Sequence, residues 1–145
     1  MENTLILKHA ETTEEITACF DVMQQLRSQL LTPDDFLARV AIQRTQGYRL
    51  LAAWEDDKPV ALAGYRHLDN MIHGRFIYVD DLVTDAAGRR KGLGELLLNE
   101  LRSLGRAERC DRLVLDTALT NALAQRFYSR VGLLARGLHL SMDLQ

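Results

Sequence analysis

No apolar run in this 145-residue sequence approaches the ~18 residues needed to span a bilayer, so no membrane helix is expected. The N-terminus lacks the basic-then-apolar pattern of a secretory signal. Cysteine is scarce: Cys19 and Cys110 are the only two. They lie in amphipathic stretches and read as reduced, half-buried thiols of a cytoplasmic protein rather than as a disulfide framework. Charge of one sign is also missing. Eighteen Lys and Arg stand against twenty Asp and Glu, a net of −2, which leaves no basic field for nucleic acid or an anionic membrane. The four histidines, His9, His67, His73 and His139, are scattered without ligand spacing, so no metal is expected. Surface or sheet positions suit His73 and His139, with a place in a substrate pocket as the alternative. Cys110 has no histidine near it in sequence and reads as packing rather than as a nucleophile. There is no internal repeat and no low-complexity tract.

What remains is ordinary globular composition, 47% apolar and 26% charged. A chain of this size buries roughly 70% of its unfolded surface and needs no staples. One domain over residues 1–145 is expected. A first strand fits residues 5–8. Thr12 and Glu15 offer a capping box for a helix carrying Ile16, Cys19, Phe20, Met23, Leu26 and Leu30 at helical spacing. Thr32 as N-cap and Pro33 at the first helical position start a second helix, and Gly47 stops it. Residues 48–54 and 60–66 make a hairpin across a polar link, and Trp54 on its first strand reads as core. Residues 67–74 are a second link, and 75–84 a longer strand. Leu93, Leu96, Leu97, Leu101 and Leu104 form one helical stripe, core rather than zipper. A strand follows at 112–116. A helix capped by Asn121 and closed by Gly132 comes next, and a last strand fits 138–144. The order is β α α β β β α β α β. Three hairpin-linked strands and then a strand–helix–strand crossover predict an α/β (α+β) mixed sheet with helices on both faces.

The most informative stretch is Arg89, Arg90, Lys91, Gly92, Leu93, Gly94, which fits R-x-x-G-x-G between an apolar strand and an amphipathic helix. Glycine there permits positive φ and close backbone approach. Successive N–H groups can then converge on an anion at a helix N-terminus. A nucleoside-triphosphate loop would need Gly-Lys-Ser/Thr, and Gly94 is followed by Glu95. A dinucleotide fingerprint needs a third glycine, and position 97 is Leu. Alone, the hexapeptide is equally a solvated basic turn.

The order of elements widens the reading. So do residues 83–97 and residues 121–133, the latter with Asn121, Ala124, Phe127, Tyr128, Gly132 and Leu133. Together they resemble the GCN5-related N-acetyltransferases over essentially the whole chain. The resemblance implies the acyl-CoA N-acyltransferase fold, with acetyl-coenzyme A as donor and co-substrate. Its pyrophosphate would lie on the backbone N–H groups of Arg90, Lys91, Gly92, Leu93, Gly94 and Glu95. Arg89, Arg90 and Lys91 would add charge or serve equally as solvated cations. The pantetheine arm would run along Leu82, Val83 and Thr84, one of whose N–H groups would polarise the thioester carbonyl. Tyr128 would protonate the leaving thiolate, or be a packed aromatic. Asn121 would bind the pantetheine amides or only cap its helix.

A lysine-like amine costs about 4.6 kcal/mol to deprotonate at pH 7, and an α-amine only about 1 kcal/mol, so a base matters for the first class alone. The candidates are Asp80 and Asp81. Adjacent strand residues face opposite sides, so at most one would reach the acceptor unless a bulge intervenes, and Asp81, nearer the splay, is preferred. The resemblance places the acceptor pocket at residues 31–36, the strand around Asp80, and residues 136–139. The expected activity is transfer of an acetyl group to a primary amine, on a small molecule or peptide, in a ternary complex. A non-catalytic acyl-CoA-binding sensor and a nucleotide-binding protein are the competing readings. An exposed sheet edge would permit a homodimer.

Overall fold

The computed structural model describes residues 4–88 and 90–145. The chain forms two compact units, one ending at Val114 and the other comprising Leu115–Gln145. No helix among the described residues is long and apolar enough to cross a membrane.

The first unit is built on a sheet in the order β1-β2-β3-β4-β5. Its strands are β1 (Leu5–His9), β2 (Arg49–Glu55), β3 (Lys58–Asn70), β4 (Gly74–Thr84) and β5 (Arg112–Leu115). The pairs from β1 to β4 are antiparallel. The starts of β4 and β5 lie together, with Asp111 N–H donating to Arg75 O at 2.6 Å. The two strands are joined by the crossover helix α4 (Leu93–Ala107), which makes the sheet mixed. On the other face lie α1 (Thr13–Ala18), α2 (Phe20–Leu26) and α3 (Pro33–Arg44).

Residues of β2 are buried on both sides. Leu50, Ala52 and Trp54 join Ile16, Phe20, Met23, Phe36 and Val40 in one cluster. The alternate residues Leu51 and Ala53 are also buried, and α4 packs across β2, β3 and β4. The stripe of α4 is Leu93, Leu97, Leu98 and Leu101, while Leu96, assigned to it from spacing, is more than a third exposed. The Thr12–Glu15 capping box is present as expected, and Asp35 adds the same device behind Thr32.

Four boundaries differ from the sequence reading. The first helix is two: Cys19 N–H bonds to Ile16 O, three residues back, and the tightened turn ends α1. Next, α2 stops at Leu26, because Arg27 leaves the helical region (φ −117°, ψ 77°). Third, β3 and β4 run through most of the expected link 67–74. Only 71–73 turn, held by Asn70 Oδ1, which accepts from the N–H groups of Ile72 and His73. Fourth, Cys110 lies past the end of α4, after Arg109 has taken a left-handed conformation (φ 59°).

The second unit holds α5 (Ala122–Arg130), capped by Asn121 Oδ1 on the Ala124 N–H at 3.1 Å. Gly132 at φ 104° lets the Leu133 N–H turn back to Tyr128 O, closing the helix where the glycine predicted it. The last expected strand, 138–144, is not formed. Leu138, Leu140, Met142 and Leu144 alternate as a strand face would, but all are exposed and no neighbour pairs with them among the described residues. Alternation is necessary for a half-buried strand; a partner backbone makes it one.

Candidate functional site

The glycine turn has the geometry that its sequence demands. Gly92 is the N-cap of α4 at φ 79°, and no side chain caps the helix there. Its carbonyl accepts from Leu96 N–H at 3.0 Å, so the helix begins at once. The N–H groups of Leu93, Gly94 and Glu95 are the unpaired donors that every helix start presents. Gly94 is helical, so its contribution is a bare Cα rather than positive φ. Arg90 lies 3.7 Å from Glu55, and Lys91 is exposed. Arg89 lies outside the described residues. An open cleft of about 890 Å³ runs beside this turn, between the β2–β3 hairpin and Asp85, Ala87, Gly88 and Arg90.

Upstream, the turn is fastened to α2. Gln25 donates to Asp85 Oδ1 (3.0 Å) and accepts from Ala86 N–H (2.9 Å). Asp85 also accepts from Ala87 N–H, and these bonds, Gln25 first, hold its carboxyl below the usual range.

The far half of β4 carries the second feature. Gly64 pairs with Asp81 but Tyr65 pairs with Val79, so Asp80 is the extra residue of a β-bulge. Beyond it, Asp85 N–H bonds to Val60 O at 2.9 Å. Alternation from that bond turns the backbone groups of Val83 toward β3 and those of Leu82 and Thr84 away from it. The bond from Asp111 N–H to Arg75 O sets the start of the four-residue β5 against the start of β4. Past the bulge, β4 therefore has β3 on one side and no paired strand on the other among the described residues.

The bulge is the exception that the alternation argument allowed for at Asp80 and Asp81. Both carboxylates meet arginines. Arg66 takes both oxygens of Asp80, at 2.9 and 2.8 Å, and its guanidinium lies over Tyr78. Arg27 Nε donates to Asp81 Oδ1 and its Nη2 to Asp80 O, each at 2.8 Å. Asp81 Oδ2 accepts from the Tyr48 hydroxyl at 2.8 Å. Tyr48 is fully buried, and burial first, then Asp81, pushes its phenol well above the ordinary range. It reaches Asp81 across Gly64, where any Cβ would collide with its ring and hydroxyl. Arg27, Tyr48, Gly64, Arg66 and Gln25 carried no signal in the sequence. Each acts through a partner distant in sequence, joined to it by the β3–β4 register or by the end of α2 packed beside β4.

In the second unit Tyr128 is half-buried beside Phe127, with ring centroids 5.3 Å apart, and desolvation raises its phenol. Gln125 ties α5 to the preceding loop through Ala118 O and Leu119 O. His139 is 3.2 Å from Asp116. His73 Nδ1 accepts from Arg112 at 3.0 Å at the β3–β4 tip, since a guanidinium can only donate. His67 Nε2 stands 3.1 Å from Glu108 but off the line of a hydrogen bond.

A bulged β4 and a glycine-capped start of α4 are thus the two backbone features of the candidate site. Residues 10–133 match the acetyltransferase (GNAT) family. An uncharacterized N-acetyltransferase of Bacillus subtilis, YhdJ, is 29% identical over 124 residues, 85% of this chain and 87% of that protein. Among solved structures, the aminoglycoside N-acetyltransferase AAC(6')-Iy in complex with CoA superimposes with a TM-score of 0.83 at 14% identity, over 99% of this chain and 96% of that one. A ribosomal-protein-alanine N-acetyltransferase of Brucella melitensis gives 0.79 at 17% identity, over 97% and 99%. The chain belongs to the GNAT acetyltransferase family and is an acyltransferase. At such identities the two solved structures share its fold, and their acceptors remain their own.

Proposed function

We propose that the chain is a single N-acetyltransferase domain that moves an acetyl group from acetyl-coenzyme A to a primary amine by direct attack in a ternary complex. The observation that carries this is the positive φ of Gly92 opening an uncapped helix directly after a bulged, half-unpaired strand. The pyrophosphate is assigned to the N–H groups from Arg90 to Glu95, with Arg89, Arg90 and Lys91 supplying charge that water and salt partly screen. Of the strand residues, Leu82 and Thr84 can offer outward N–H groups to the pantetheine arm and the thioester oxygen, whereas Val83 lends its side chain. Asn121 Oδ1 is committed to its cap, which leaves its amide NH₂ for the same arm.

The amine nitrogen attacks the thioester carbon, the C–S bond breaks, and the sulfur leaves as a thiolate that needs a proton. Tyr128 is the donor in this reading. A phenol raised by burial is protonated at neutral pH and can donate to the developing thiolate. Asp81, then Asp80, are the candidate bases. Their oxygens already accept from Arg27, Tyr48 and Arg66, so both carboxylates are engaged within the fold. The pairing favours acceptor amines that arrive neutral, such as α-amines, over lysine-like ones.

The test is thiol release from acetyl-coenzyme A against a panel of α-amines, alkylamines and amino sugars, with calorimetric binding of coenzyme A in parallel. Turnover on some amine class is expected, lowered about 100-fold in Tyr128→Phe with coenzyme binding intact. Absence of coenzyme A binding would refute the reading.

A further inference from the structure

The last turn of α2 holds the candidate donor strand at both ends. Gln25 fixes Asp85 and Ala86, just after Thr84. Arg27, two residues on, fixes Asp80 and Asp81, just before Leu82. We propose that Arg27 is a positioning residue for acetyl transfer. It locks the β4 bulge so that the outward N–H groups after it meet the thioester. The inference rests on the acetyl-transfer reading above.

A bulge frees one residue from the ladder and leaves its backbone groups to find other partners. Here the freed carbonyl is that of Asp80, and Arg27 Nη2 takes it at 2.8 Å. The same guanidinium takes Asp81 Oδ1 through Nε. One planar fork therefore bridges a backbone atom of the extra residue and a side-chain atom of the next. An ammonium cannot reproduce that geometry. Tyr48 secures the other oxygen of Asp81 from inside the core, and Arg66 secures the side chain of Asp80. Five bonds from three side chains thus fix two residues. The direction of the Leu82 N–H follows from them, because Leu82 is the next residue.

An amide aimed at an oxyanion stabilises charge that exists only in the transition state, so a misdirected one lowers kcat more than it weakens donor binding. Donor affinity would rest mainly on the glycine turn, which Arg27 does not touch. Losing the fork is therefore expected to separate kcat from KM.

Arg27→Lys, Tyr48→Phe, Asp81→Asn and the Arg27→Lys/Asp81→Asn double variant test this. Arg27→Lys is expected to lower kcat about 10- to 100-fold, with acetyl-coenzyme A KM and coenzyme A Kd within about threefold. Tyr48→Phe, which loses one bond of the same set, should give a smaller fall in kcat with the same split. If Arg27 acts through Asp81, the double variant is no worse than the poorer single one. Amide ¹H–¹⁵N shifts give a readout independent of turnover: Leu82 and Thr84 should move in Arg27→Lys while Leu7 on β1 stays. Three results would overturn the assignment: kcat within threefold of the unmutated enzyme, kcat and coenzyme affinity falling by the same factor, or multiplicative losses in the double variant. If the unmutated protein turns over no amine, the acetyl-transfer reading fails by itself. The amide shifts then decide whether Arg27 holds the bulge.

Discussion

Cys19 and Cys110 are both free thiols but differ in chemistry. Cys19 has no exposed surface, and burial first, then Glu15, pushes its thiol up to about 12 from the ordinary 9.0. Its folded value lies above the unfolded one, so the neutral thiol favours the native state. That contribution is complete below the ordinary value and is lost as pH climbs toward about 12. Stability should therefore decline over this alkaline window in the unmutated protein and decline less in Cys19→Ala, as read from urea midpoints. At about pH 8 the native protein should take up one alkylating group, on Cys110, and a second only after denaturation. Mass spectrometry before and after denaturant checks this; native labelling of Cys19 would contradict it. The sequence marked Cys19 as one point on an apolar helical face. Its complete burial, like the pairing of Asp80 and Asp81 with arginines, depends on partners that local pattern does not reveal.

At the scale of elements, helix starts were the most legible features. Thr12, Thr32, Gly92 and Asn121 all cap where the sequence places them, because capping is a contest among backbone groups a few residues apart. Gly92 permits a direct test. A Cβ there would meet nothing within 4 Å, so Gly92→Ala isolates the cost of φ 79°. Stability should fall by about 1–2 kcal/mol, and coenzyme A affinity should fall at least about tenfold if the alanine relaxes to negative φ and turns the N–H groups aside. Unchanged affinity, measured by calorimetry, would remove this turn from the donor site. The division between α1 and α2, the bulge at Asp80 and the unformed strand at 138–144 were not legible. A bulge inserts a residue without altering composition, and the alternation of Leu138, Leu140, Met142 and Leu144 says only which side of a strand would be apolar.

For the whole molecule the donor is expected to act as a stabilising ligand. Coenzyme A at about 100 times its Kd should stabilise the native state by about 2.7 kcal/mol, provided that the unfolded chain does not bind it. For a chain of this length that is about 5–10 °C in thermal midpoint. ATP at the same concentration should do less if the strand edges at Leu82 and Thr84 contribute, because ATP carries no pantetheine to lie along them. Equal shifts would mean that the site reads only the phosphates.

The sequence by itself determined what is local: the capped helix starts, the glycine turn, the order of elements up to α5 apart from the division of α1 from α2, and, through residues 83–97 and 121–133, the resemblance that the family match then bore out. Hydrophobic period and backbone conformational preference act over a few residues, so they survive in a one-dimensional reading. Only the tertiary structure decided which carboxylates are already paired, which of Leu82, Val83 and Thr84 turn their backbone groups outward, and that one arginine holds the bulge between them. Those outcomes depend on register between β3 and β4 and on a helix end packed beside them. Such contacts join residues from 14 to 61 positions apart, and no local preference encodes them.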